Sequence, residues 1–152
     1  MGNHRYKHYL AAFTDSNADL RHEFTTGQNY NTIALTAGSS ISLILNWDAY
    51  PQTTVDYDMY LYNGNPDTGG TLVASSTNKQ SGKGTAWYYL PYESINYTPG
   101  VGGTYYIEVR KATASTTHLR FTLFSAGPDL GIKTTSSSLL QPADCSSVIS
   151  VG

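Results

Sequence analysis

Hydrophobic and polar positions alternate with a period of two in several stretches, the repeat of a pleated strand whose successive side chains point to opposite faces. Ser39–Asp48 puts Ile41, Leu43, Leu45 and Trp47 on one face, and Asp56–Asn63 does the same with Tyr57, Met59 and Leu61. Thr104–Lys111 carries Tyr105, Ile107 and Val109 inward with Glu108 and Arg110 outward, and Thr117–Phe124 follows with Leu119, Phe121 and Leu123. Shorter strands are predicted at Arg21–Thr25, Tyr30–Thr36, Leu72–Ser76 and Glu93–Thr98. Turn residues such as Ala37-Gly38, Asn63-Gly64-Asn65-Pro66 and Pro99-Gly100 bound them. About eight strands without a long helical period predict an all-β fold, an antiparallel β-sandwich or jelly roll over residues 20–133. Residues 1–19 read as an N-terminal flank. Residues 134–152 change character: a Ser/Thr run at Thr134–Ser138 leads through Pro142-Ala143-Asp144-Cys145 into a short apolar strand, Val148–Val151.

Composition narrows the function. The 152 residues suit one domain, large enough to bury roughly 70% of the unfolded surface. Only 13% of them are charged and the net charge is −2, so no basic face is available to neutralise phosphates, and nucleic acid is not an expected partner. The 13 Tyr and abundant Thr, Val and Ile fit half-buried pleated surfaces. Cys145 is alone, so no internal disulfide forms and the core must hold by packing or a metal. Low Lys and Glu with abundant Tyr, Thr and Asn suit a secreted or cell-surface domain. No apolar run approaches the ~20 residues of a membrane span, and no basic-then-apolar signal opens the chain. The expectation is a signal peptide further upstream or an excised piece of a longer protein.

Four segments in order carry a resemblance: Leu45-Asn46-Trp47-Asp48, Asp56-Tyr57-Asp58-Met59-Tyr60-Leu61-Tyr62, Val73-Ala74-Ser75-Ser76, and Gly103-Thr104-Tyr105-Tyr106-Ile107-Glu108-Val109. Over residues 20–125 the chain resembles the pre-peptidase C-terminal-like (PPC-like) jelly roll of secreted peptidases. The flanks add to it. Gly2-Asn3 resembles the Gly-Asn that carries the oxyanion-hole asparagine of subtilisin-like serine proteases, and Pro142-Ala143-Asp144 through Val148–Gly152 resembles the core strand that follows it. The resemblance implies a domain inserted in a catalytic domain, which would be its partner. It also implies that Asn3 donates a hydrogen bond to the tetrahedral intermediate in an intact parent. The nucleophile segment Gly-Thr-Ser and the His-Gly-Thr-type motif occur nowhere in the chain, so the chain alone is expected to run no triad chemistry.

Other residues offer chemistry of their own. Asp15, Asn17 and Asp19 place three oxygen-bearing side chains at every second position, a spacing that suits either a solvated Asx-rich turn or a calcium loop. The loop has Leu20 and Thr26 where an EF-hand needs Gly and Glu, and so is not one. Asp56 and Asp58 share a strand face, with Asp48 ending the preceding strand. They either meet solvent, Arg110 or Lys111, or hold a cation as an alternative metal set. Glu93 follows Pro91-Tyr92, where the resembled jelly rolls also carry an acid. Its expected task is to bind backbone amides of a loop, with metal ligation second. Trp87, Tyr88, Tyr89 and Tyr92 form either a stacking platform for a sugar or peptide or ordinary packing. Asp67-Thr68-Gly69 imitates a catalytic motif but sits among turn residues, and is read as a hairpin turn. His4, His8, His22 and His118 lack zinc-site spacing. Calcium is the one cofactor expected, with no organic cofactor. The leading function is a non-catalytic accessory domain of a secreted subtilisin-like protease, which stabilises the parent, shapes access to its cleft or docks substrate. The alternatives are a carbohydrate- or surface-binding module and a calcium-stabilised spacer.

Overall fold

The structure is a computed structural model that describes residues 6–49, 53–80, 90–112 and 118–135. Within them, eight strands run in chain order: β1 (His8–Ala12), β2 (Asn31–Leu35), β3 (Ile41–Trp47), β4 (Tyr57–Asn63), β5 (Thr71–Ser76), β6 (Tyr92–Tyr97), β7 (Gly103–Lys111) and β8 (Arg120–Ser125). They form two four-stranded antiparallel sheets, ordered β1-β8-β3-β6 and β2-β7-β4-β5. The chain crosses between sheets at nearly every connection, which is the wiring of a jelly roll.

The period-two faces meet between the sheets. Ile41, Leu43, Leu45 and Trp47 of β3 and Phe121 and Leu123 of β8 pack on Tyr57, Met59 and Leu61 of β4 and Tyr105, Ile107 and Val109 of β7, all at most 4% exposed. The Trp47 indole N–H donates to the Val55 carbonyl at 3.1 Å, so the ring is buried without an orphaned donor. At one end Phe13 stacks on Tyr57, with ring centroids 5.0 Å apart, and His22 lies edge-on to Phe24 and Phe121.

Two predicted boundaries move. His8–Ala12 is a full strand paired with Arg120–Phe124, so the sandwich begins inside the segment read as a flank. Its run His-Tyr-Leu-Ala-Ala does not alternate cleanly, and it is an edge strand with one half-wet face. Arg21–Thr25 is not a strand. Arg21 and Thr25 form isolated bridges, to Arg110 and to Gln28, and the chain turns through Gly27 at a φ of +74°.

Both open sides of the sandwich are closed. On the side of edge strands β1 and β2, the outgoing segment Leu130–Thr134 is stitched to both. Leu130 N–H donates to the Tyr6 carbonyl at 2.9 Å, Gly131 N–H to the Thr32 carbonyl at 2.8 Å and Thr134 N–H to the His8 carbonyl at 2.9 Å. The Asn31 side chain brackets Ile132, giving to its carbonyl at 2.7 Å and accepting its N–H at 2.8 Å. Edge strands covered in this way present no free ladder to another chain. The β5–β6 side is closed by Glu93 and the segment that follows β5.

Candidate functional site

Glu93 opens on β6 opposite Leu45 and so points between the sheets, fully buried. A carboxylate there must be hydrogen-bonded throughout. It takes Asn78 N–H at 2.8 Å and Gln80 Nε2 at 2.9 Å on Oε1, and Asn78 Nδ2 at 2.8 Å together with the Ser76 hydroxyl on Oε2. The expected binding of a loop amide is therefore observed, and three side chains join it. Ser76, Asn78 and Gln80 alternate along one extended segment, which lets all three face the same acid.

Gln80 connects Glu93 to a second pair of acids. Its main-chain N–H bonds to Asp56, while its side chain, 3% exposed, is held by Glu93. Asp58 lies two residues on along β4, 8% exposed, and accepts the Tyr60 hydroxyl at 3.1 Å. Burial raises the pKa of Asp58 to about 6; the Tyr60 bond and Arg110 oppose this, while Asp56 and Glu93 add to it. Asp56 is raised too, by burial first. Tyr60 is pushed up to about 12 by burial and by Asp58.

Asp48 does not join this group. It ends β3 on the other sheet, where its Oδ2 accepts Arg120 Nε at 2.9 Å in an exposed pair. The cation that eases Asp56 is Lys79. Arg110 sits over the Tyr60 ring, 4.7 Å from its centroid, and binds Glu108 and the Tyr62 hydroxyl. Glu108 points outward from the core face of β7, as expected. It is nonetheless fully buried, because Arg21, held beside Arg110, lays its guanidinium across it. Arg21 also reaches Asp67 at 2.6 Å. Asp67 belongs to a turn, as expected: Pro66–Thr68 is one 3₁₀ turn whose Asn65 side chain accepts Asp67 N–H at 2.8 Å. Gly70 closes that turn against Gly64, where a Cβ would stand 2.3 Å from the Gly64 carbonyl oxygen.

Asp15, Asn17 and Asp19 do gather in one loop. Their oxygens accept backbone N–H groups: Asp15 those of Asp19 and Leu20, each at 3.0 Å, Asn17 that of Asp19 at 3.3 Å, and Asp19 that of Arg21 at 2.9 Å. Asp19 also accepts Asn29 Nδ2 at 2.9 Å. These bonds hold Ala18 and Leu20 at positive φ, +60° and +67°, where non-glycine residues are strained. Among the described residues no three His, Cys, Asp or Glu side chains form a ready-made metal centre.

His22 is fully buried, with Nδ1 accepting Thr14 N–H at 3.0 Å and Nε2 bonded to the Tyr9 hydroxyl at 3.0 Å. Burial lowers its pKa to about 4. His8 is buried and His118 exposed. Tyr92 is 39% exposed on β6. Asn3, His4, Trp87, Tyr88, Tyr89 and the strand Val148–Val151 lie outside the described residues.

The spacing of Asp56 and Asp58 and the acid at 93 were legible in the chain. Gln80 was not, since nothing local marks one glutamine in a Ser/Asn/Lys/Gln stretch as buried. Glu108 might as well have been any outward residue of an alternating strand; its cover comes from Arg21, 87 positions away in sequence.

The two sheets and their order define the class: an all-β jelly-roll sandwich. No family model matches the chain, and no curated protein matches it. Among solved structures, the pre-peptidase C-terminal domain of a collagenase from Bacillus anthracis aligns over 79% of this chain and 88% of its own, with a TM-score of 0.45 and 11% identity. CorA, a surface-associated copper-binding protein important in Methylomicrobium album BG8 copper acquisition, aligns over 80% and 93%, with a TM-score of 0.48 and 12% identity. No helix among the described residues is long and apolar enough to cross a membrane.

Proposed function

We propose that the chain is a non-catalytic accessory domain of a secreted or surface-exposed protein, inserted within the catalytic domain of a subtilisin-like serine protease. The observation that carries this reading is the meeting of the incoming and outgoing segments. Thr134 Oγ1 accepts Leu10 N–H at 3.0 Å and donates to the Leu10 carbonyl at 3.2 Å, across 124 positions of sequence. A module whose two connections lie side by side can be accommodated in a surface loop of a host without separating the host's own strands. The flanks supply the host's identity in this proposal, Gly2-Asn3 as the oxyanion-hole pair and Val148–Gly152 as the next core strand. The module's buried acids serve its own architecture: Glu93 fastens the segment after β5 and Glu108 fastens Arg21 and Arg110. Its contribution to the parent is a rigid body beside the cleft, stabilising it and limiting what reaches it.

The reading frame on either side of the chain tests the proposal. Aspartate and histidine triad motifs upstream and a Gly-Thr-Ser nucleophile segment downstream are expected. A frame that closes without them on either side, or that continues into an unrelated enzyme, overturns it.

A further inference from the structure

We propose that Asp56, Asp58 and Gln80 form a calcium site at the β5–β6 side of the sandwich. Two buried oxygens there, Asp56 Oδ1 and Gln80 Oε1, have no hydrogen-bond partner among the described residues. A buried acceptor without a donor is destabilising, and two in one cluster call for a shared partner. Gln80 is buried, only 3% exposed. With Nε2 committed to Glu93, its amide oxygen is turned off that carboxylate, in the same residue whose main-chain N–H bonds Asp56.

Charge points to a cation rather than to a donor group. Asp58 is burdened by both Asp56 and Glu93, and Asp56 by Glu93, while the cations that ease them are Arg110 and Lys79. Arg110 is already bound to Glu108, and Lys79 is exposed. Glu93 is not a ligand, since its two oxygens already accept four hydrogen bonds. The set is therefore two carboxylates and a neutral amide oxygen, all hard donors. Nitrogen and sulfur ligands are absent from it, which disfavours zinc and copper. An irregular set of carboxylate and amide oxygens, completed by carbonyls or water, suits calcium, which accepts 6–8 oxygens in flexible geometry; magnesium demands a near-ideal octahedron. The site differs from the Asp15/Asn17/Asp19 loop, whose oxygens already accept main-chain and asparagine side-chain amides.

Chelator-stripped full chain is titrated with calcium chloride, following its melting temperature and, in parallel, tyrosine-sensitised terbium luminescence. The parent is expected to gain roughly 5 °C or more at a hundredfold excess over Kd. It is also expected to sensitise terbium through Tyr60, with calcium displacing the signal. Asp56→Asn and Gln80→Met each weaken calcium by more than about a hundredfold, beyond the roughly 10–100-fold that loss of a merely supporting group causes. Asp15→Asn leaves both readouts unchanged. In calcium-free buffer Asp56→Asn melts no lower than the parent, because it relieves a like-charge contact, and this keeps the test valid apart from folding. No melting shift and no terbium signal in the parent would show that the two oxygens hold only water and would overturn the proposal. A shift that survives Asp56→Asn and Gln80→Met but is lost in Asp15→Asn would overturn it as well.

Discussion

Buried polar groups decide the behaviour of this sandwich at the scale of single residues. Glu93 holds four donors at zero exposure, so Glu93→Ala strands all four and removes the clasp on the β5–β6 side. The expected loss is about 3 kcal/mol, read as a lower urea midpoint, whereas Glu93→Gln keeps part of the network and loses less. An unchanged midpoint in Glu93→Ala would show that the clasp does not hold the fold. Two other groups give opposite pH dependences. His22 titrates near 4 in the native state and near 6.5 when unfolded, so the unfolded chain takes up a proton the native one refuses. Stability is therefore lost as pH falls from about 6.5 towards 4, by up to about 3 kcal/mol. In calcium-free buffer Asp58 titrates near 6 in the native state against 3.8 unfolded, so the native chain holds the extra proton and gains stability as pH falls from about 6. The two partly cancel. Asp58→Asn should make the loss between pH 7 and pH 5 steeper than in the parent, and His22→Gln should flatten or reverse it. Identical slopes in all three proteins would contradict these assignments.

At the scale of elements, the strands that alternate cleanly were legible to within about three residues, because one buried face leaves only one register that keeps the apolar set inside. Trp47 illustrates it. It ends the inward row Ile41, Leu43, Leu45 and is 4% exposed against Tyr57. Trp47→Ala is expected to lower stability by ~3–5 kcal/mol in chemical denaturation; a loss under about 1 kcal/mol would contradict the register. The elements that were not legible are those whose cause is distant in sequence. β1 exists because β8 offers it an edge, and His8–Ala12 carries no strong period by itself. The predicted strand Arg21–Thr25 fails because its residues make single bridges while Arg21 is drawn to Glu108 and His22 into the aromatic end of the core. The same holds for the candidate site. Asp56 and Asp58 could be paired from a strand period, but their union with Gln80 depends on how β5 hands over to the segment beyond it, which no local pattern encodes.

For the whole molecule, Leu130–Thr134 joins the edges of both sheets, so this segment is part of the sandwich and not of the tail after it. Truncation after Thr135 should leave the melting temperature within about 2 °C of the full chain, while truncation after Ala126 removes the buried Leu130 and the bracket on Ile132 and should lower it by roughly 8 °C or more. Equal melting of the two would show that the edges need no cover. The same closure brings Leu10 and Thr134 together and underlies the proposal that a host catalytic domain resumes where the module ends. The most direct test of that proposal uses the polypeptide extended along its reading frame in both directions, assayed for peptide hydrolysis with Asn3 intact and as Asn3→Ala. The proposal predicts a fall in kcat of about 10²–10³ with KM little changed, the mark of a donor lost from an oxyanion hole. Undiminished kcat in Asn3→Ala, or no hydrolysis by the intact polypeptide, would contradict it.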